Sequence, residues 1–103
     1  MDETELAFEE IRELAKEAGR QHWHDFLAIG EPPILDECLN VRRAWMFFRN
    51  PDIQIPPQAS LRKCALVVSD RGEVRFTADY YPDLNKCREY LEKMSDHFEE
   101  RGL

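Results

Sequence analysis

The chain has 103 residues, of which 43% are hydrophobic, and it carries a formal net charge of −7. That length suits one domain, and the apolar share excludes a disordered acidic tail, because such a tail lacks the apolar area that offsets chain entropy. The negative charge repels nucleic-acid phosphates and favours a basic partner. Since no apolar run reaches the roughly 20 residues of a membrane span and the acidic start is unlike a secretory signal, the sequence predicts a cytoplasmic protein that binds neither membrane nor nucleic acid.

The first predicted element is an amphipathic helix over residues 3–18. Its apolar stripe repeats with helical spacing and consists of Ala7, Ile11, Leu14, Ala15 and Ala18. Gly19 offers an early stop, but if that glycine is tolerated the helix continues through His22 and Trp23. Both ends are therefore expectations for the structure to test.

The middle of the chain predicts strands interrupted by proline-rich loops. The sequence Gly-Glu-Pro-Pro at residues 30–33 forbids regular helix, and residues 34–39 are a candidate strand. Residues 43–48 carry apolar side chains toward both sides, which predicts a central strand covered on each face. Residues 50–52 form a turn, and the prolines in residues 53–60 predict an edge strand or an exposed loop.

The last part of the chain predicts a hairpin followed by a helix. Residues 64–69 are predicted as one strand and residues 74–78, where apolar and polar side chains alternate, as the next, around an Asp-Arg-Gly turn. A helical stripe that ends at Gly102 then follows, with Leu84, Cys87, Leu91, Met94 and Phe98. The predicted fold of the single domain, residues 1–103, is α+β: a small antiparallel sheet of three to four strands packed against an N-terminal and a C-terminal helix.

No motif for catalysis or metal binding stands out. His22 and His24 are followed by Asp25, but imidazoles two positions apart diverge on a helix, which weakens joint coordination. Cys64 and Cys87 fall at apolar positions and are expected in the core, whereas a cysteine nucleophile needs a base and an electropositive, partly open setting. Glycine-rich phosphate loops and nucleophile elbows are missing from the sequence. The prediction is a non-enzymatic protein with no catalytic residues, no metal and no cofactor.

Charge is the main indication of a partner surface. The first helix concentrates acidic side chains, and the candidate contact residues on it are Glu9, Glu10, Glu13 and Glu17. The loop around residues 53–57, with Arg49 and Asp52, is a second candidate. An acidic face steers a cationic partner, but a solvated helix surface that complements a basic sheet is the alternative.

Two stretches in the middle of the chain carry a family resemblance: Ala44-Trp45-Met46-Phe47-Phe48, and then Ala65-Leu66-Val67-Val68-Ser69-Asp70-Arg71-Gly72-Glu73-Val74. Together they resemble the bacterial immunity protein 35 family, in which a Trp-Phe strand precedes a valine-rich strand and an acidic-Gly turn. The likeness covers about residues 41–92. It implies a cytoplasmic immunity protein that binds and neutralises a cognate bacterial toxin by occluding its active site, and it supplies no catalytic residues.

A second hypothesis belongs to another class of binding protein. Acidic chaperones for secreted effector proteins are also small α+β proteins, and they are usually dimers. An obligate dimer with an apolar groove for an extended client would favour the chaperone, and a monomer would favour the immunity protein. The sequence leaves the oligomeric state open.

Overall fold

The computed structural model describes residues 6–62 and 64–103 of the chain. The elements in chain order are α1 (Phe8–His22), β1 (Ile34–Val41), β2 (Ala44–Arg49), a 3-10 helix (Pro57–Arg62), β3 (Cys64–Ser69), β4 (Val74–Ala78) and α2 (Leu84–Arg101). The four strands form one antiparallel sheet in the order β1-β2-β3-β4. The predicted α+β fold is confirmed, with the larger of the two predicted strand numbers.

The sheet lies between the two helices, because successive strand residues point to opposite faces. Phe47, Leu66 and Val68 pack toward α1, with Ile11 and Ala15 beneath them. We call this side the α1 layer. The other side, the α2 layer, buries Met46, Phe48, Ala65, Val67, Cys87, Leu91 and Phe98. Each helix therefore covers one face of the sheet with its own apolar core.

Residues 34–39 pair with the sheet, which the sequence left open, and β1 continues to Val41. β2 lies between β1 and β3, so its prediction as a central strand is confirmed. The strand is shifted by one residue at each end from the predicted range 43–48, because Arg43 belongs to the two-residue turn that closes the β1–β2 hairpin.

The hairpin of β3 and β4 follows its prediction closely. Ser69 N–H donates to the Glu73 carbonyl (2.9 Å) and Gly72 N–H donates to the Ser69 carbonyl (3.0 Å). Gly72 has φ +95°, a left-handed conformation that glycine adopts without steric cost. The Asp-Arg-Gly turn therefore sets the register between β3, which precedes it, and β4, which follows it.

The predicted start of α1 is wrong. The helix begins at Phe8 and not at residue 3, since Ala7 is extended (φ −69°, ψ 155°) and Leu6 N–H donates to the Asp70 carbonyl at 2.8 Å. Residues 1–5 lie outside the described range. The helix runs through Gly19 to His22. Glycine is needed at position 19 because a Cβ there would lie 3.0 Å from the Trp23 ring and 3.1 Å from Pro33. Glycine at that position allows close packing and does not end the helix.

Residues 53–55 form no strand, and the proline-rich segment continues into the 3-10 helix, so the loop alternative was the correct one. α2 ends as predicted, with Gly102 in the left-handed conformation (φ +67°), and it begins with Asp83 accepting a hydrogen bond from Lys86 N–H. Across residues 6–62 and 64–103, neither helix is both long and apolar enough to cross a membrane.

Candidate functional site

The four glutamates predicted as partner contacts lie together on the outer side of α1. Their side chains are exposed, and they surround a shallow groove of about 560 Å³ with two leucines in its lining. The complete lining is Leu6, Glu9, Glu10, Glu13, Leu14 and Glu17. Leu14 is 37% exposed. We call this surface the acidic groove: a small apolar patch bordered by carboxylates.

The acidic groove is held in place by the β3–β4 turn. Leu6 is fixed by its backbone hydrogen bond to Asp70, which ties the segment before α1 to that turn. Gly72 lies directly beneath both leucines, since a Cβ built there would be 3.1 Å from Leu6 Cδ1 and 3.3 Å from Leu14 Cδ1. The missing side chain of Gly72 therefore lets the leucines rest on the turn.

The glutamates differ in how far they are already paired within the chain. Glu13 lies 3.5 Å from Lys16 and Glu17 lies 3.5 Å from Arg20, both as exposed pairs of the helix surface. Glu10 Oε1 accepts a weak hydrogen bond from Ala7 N–H at 3.4 Å. Exposed pairs of this kind contribute only about 0 to 1 kcal/mol to the stability of the fold. A cationic group of a partner can therefore replace Lys16 or Arg20 beside these glutamates at small cost.

The second predicted contact set lies at the other end of the sheet. Arg49 is half-buried and its Nη1 donates to the carbonyls of Asn50 (3.1 Å) and Ile53 (3.0 Å). Asp52 is exposed and borders a separate depression of about 480 Å³ beside Ile29. The structure therefore does not bring Arg49 and Asp52 together with the glutamates of α1, and the Arg49 guanidinium is engaged in holding the loop after β2.

One cysteine touches a histidine. Cys64 Sγ lies 3.4 Å from His22 Nε2, and the His22 ring stacks on Phe76 with centroids 4.2 Å apart. Burial, aided by the charge of Asp79, raises the pKa of the Cys64 thiol to about 11. Because the thiolate is the nucleophilic form, this contact does not produce an activated nucleophile near neutral pH.

The remaining chemistry-bearing residues are separate from one another. Cys87 is buried on the inner face of α2, as predicted, while Cys38 is half-buried on β1, and burial raises the pKa of both thiols. None of the three cysteines, Cys38, Cys64 and Cys87, is part of a disulfide. His24 pairs with Asp25 at 3.5 Å on the surface. Among the described residues no three metal-ligand side chains converge.

Sequence reasoning missed the two leucines of the acidic groove. Leu14 was assigned to the buried stripe of α1, and Leu6 fell inside a helix that in fact begins later. Glycine at the hairpin turn was a signal for turn geometry only, and its packing against α1 depends on the tertiary fold. The carboxylates could be found from composition, whereas the apolar patch between them could not.

Comparison of the chain with models of protein families, with curated proteins and with solved structures finds no match. The resemblance to the immunity protein 35 family therefore stays a prediction.

Proposed function

We propose that the chain is a cytoplasmic, non-enzymatic immunity protein that binds a cognate protein toxin through the acidic groove and occludes the toxin's active site. One observation supports this proposal above all. Four exposed glutamates of one α1 face border Leu14 on that face and Leu6 just before the helix, next to a turn that fixes the position of both leucines. This arrangement combines charge for attraction with apolar area for burial.

The partner that fits this surface is basic with an apolar side chain at the centre of its contact. Carboxylates at the rim attract cationic groups over distance and raise the association rate. Leu6 and Leu14 then exclude water from the centre of the contact, where most binding energy of an interface resides. A toxin whose catalytic cleft carries lysine or arginine around an apolar side chain meets both requirements.

The test begins with the protein encoded by the neighbouring gene. The two proteins are produced together, purified through a tag on one of them, and assayed for rescue of growth when the toxin is expressed. We expect a stable complex and restored growth. Failure to bind or rescue with any neighbouring toxin would contradict the proposal, and a complex that leaves the partner's activity intact would favour an effector chaperone.

A matched pair of variants assigns the contact to the acidic groove. In the first variant Glu9, Glu10, Glu13 and Glu17 are all changed to glutamine. In the control, four exposed acids of α2 are changed to their amides: Glu89, Glu92, Asp96 and Glu100. Both variants lose the same number of negative charges, so only the position of the charge differs.

We expect the α1 variant to lose toxin binding, with the slower association that follows from weaker electrostatic steering, while the α2 variant binds like the unmodified chain. Glutamine at position 10 keeps the capping hydrogen bond to Ala7, so α1 should stay folded. Equal loss in the two variants would show that overall charge, and not the acidic groove, attracts the partner.

A further inference from the structure

The two edges of the sheet differ in how they are protected against pairing with another strand. On β1, Asp36 and Glu37 are exposed, and the register is irregular between Ile34 and Cys38. Charges and irregularities of this kind discourage strand addition. β4 pairs with β3 in unbroken register from Val74 to Ala78, and it exposes 43% of Phe76. β4 is therefore the open edge.

The hydrogen-bond pattern of the hairpin fixes which backbone groups of β4 point outward. Ser69 N–H bonds to the Glu73 carbonyl, so this is a hydrogen-bonded pair, and such pairs alternate with non-bonded ones along an antiparallel ladder. Arg75 and Thr77 therefore use their N–H and C=O groups toward β3. The outward groups belong to the residues between and beside them: Val74, Phe76 and Ala78.

These outward groups are available for a further strand. Outside the strands, the described residues give them one polar contact, a long one of 3.4 Å from the Thr77 hydroxyl to the Ala78 carbonyl. Phe76 is the middle residue of β4. An antiparallel copy of β4 placed beside it thus meets the same groups in reverse order, centred on Phe76.

The apolar side chains of β4 pair with themselves about this two-fold axis. On the side facing α1, Phe76 meets Phe76 of the second copy, and Val74 meets Ala78. On the other side Arg75, which pairs with Glu73 of its own chain at 3.0 Å, lies opposite Thr77 and diagonal to both Asp79 and Arg75 of the second copy. Just outside the strand Glu73 lies opposite Asp79, so the apolar side, and not charge, favours this pairing.

α1 supplies a wall for this pairing. The His22 ring stacks on Phe76 at 4.2 Å, and a depression of about 280 Å³ beside them is lined by Ala18, Gln21, His22 and Phe76. An aromatic side chain from a second copy can rest against Phe76 at the border of this depression. Aromatic cross-strand pairs are among the favourable ones in antiparallel sheets.

We propose that two copies of the chain associate through their β4 strands about a two-fold axis at Phe76, which joins the two sheets into one. The contact uses main-chain hydrogen bonds from Val74, Phe76 and Ala78 together with the Phe76 pair. A single short strand from each copy makes a small interface, so the association depends on protein concentration. A concentration-dependent pairing of sheet edges is not the obligate dimer with an apolar groove that would favour a chaperone, and its test needs the purified chain alone.

Sedimentation velocity over a range of protein concentrations tests the association. We expect the mass to rise toward twice that of one chain, and Phe76→Lys to keep the chain monomeric, because it places two ammonium groups at the axis. Leu84→Lys is the control, since Leu84 is an exposed apolar residue that belongs to α2 and not to β4. Circular dichroism confirms that both variants fold. A monomer at all concentrations, or a dimer unaffected by Phe76→Lys, overturns the proposal.

Disulfide cross-linking tests the register. In a chain carrying Cys38→Ser and Cys64→Ala, Phe76→Cys should form a disulfide-linked dimer on mild oxidation, because directly paired residues lie about 5.5 Å apart, within disulfide range. Arg75→Cys should cross-link at least about tenfold more slowly, since diagonal neighbours are about 7 to 8 Å apart. Equal rates at the two positions would exclude a two-fold axis at Phe76.

Discussion

The α1 and α2 layers cover the same sheet but use their helices differently. α2 is capped by Asp83 and Gly102, and it directs its stripe of Cys87, Leu91 and Phe98 into the core, each with at most 1% of its surface exposed. α1 buries only Ile11, Ala15 and Gly19.

On α1, Leu14 stays on the outer surface in the middle of the helix, among the glutamates. The exposed leucine of α2, Leu84, is the first residue of its helix and has no such surroundings. The difference teaches that α2 serves mainly to stabilise the sheet, whereas α1 retains apolar and charged area that the fold itself does not consume.

The largest expected effect is on the α2 layer. Phe98→Ala removes a fully buried ring and should lower the free energy of unfolding by about 3 to 5 kcal/mol, because the surrounding core closes the cavity only in part. Urea denaturation followed by circular dichroism measures it. Leu84→Ala on the same helix is the control and should cost about 1 kcal/mol or less, since Leu84 is 38% exposed. Similar costs for the two variants would contradict the assignment of α2 to stability.

A pH titration tests how well the α1 layer seals the sheet. Burial raises the pKa of Cys64 from 9.0 to about 11, so between these values the folded chain keeps a proton that the unfolded chain has lost. The stability that the protonated Cys64 thiol gives the folded chain is fully present below pH 9 and is lost as the pH rises through 11. Relative to Cys64→Ala, the unmodified chain should lose about 2 kcal/mol of stability over this window, since each pKa unit corresponds to about 1.4 kcal/mol.

The measurement is the free energy of unfolding in urea at several pH values for the two chains. Only the difference between the two chains is informative, because it removes the effect of pH on every group other than Cys64. Parallel curves would mean that solvent reaches the Cys64 thiol and that the His22 end of α1 does not exclude water.

Much of the fold follows from local patterns in the sequence. The apolar run of residues 64–69, the alternation of residues 74–78, the glycine at the turn and the stripe from Leu84 to Phe98 each specify an element without reference to the rest of the chain. The start of α1 could not be predicted from local patterns, because the backbone of Leu6 bonds to the distant Asp70 instead of continuing the helix. Helix propensity is a property of neighbouring residues, so it gives no information about a hydrogen-bond partner that is distant in the sequence.

The candidate site divides in the same way. The glutamates were found because exposed charge is visible in composition and spacing. The position of these glutamates around Leu6 and Leu14 could not be found from the sequence, since it depends on contacts of the two leucines with Gly72 across the fold. Arg49 looked available in the sequence, but its hydrogen bonds to the carbonyls of Asn50 and Ile53 engage it in the loop after β2. Side-chain availability is a tertiary property.

The smallest expected effect concerns the contact that joins the α1 layer to the hairpin. Gly72 and Gly30 both have positive φ, +95° and +79°, so alanine at either position should cost about 1 to 2 kcal/mol from backbone strain alone. A Cβ at Gly30 meets nothing within 4 Å, whereas one at Gly72 presses on Leu6 and Leu14. Gly72→Ala should therefore be less stable than Gly30→Ala by about 1 kcal/mol, a modest excess because both leucine side chains can shift.

The same pair of variants connects stability to the acidic groove. Displacing Leu6 and Leu14 changes the apolar patch between the glutamates, so Gly72→Ala should also weaken toxin binding, while Gly30→Ala should leave it unchanged. Urea denaturation gives the first quantity and titration calorimetry with the toxin the second. Equal stability of the two variants would show that the leucines do not rest firmly on the turn. Equal binding despite unequal stability would show that the partner contacts the carboxylates alone, which would remove the apolar part of the proposed contact and leave its electrostatic part.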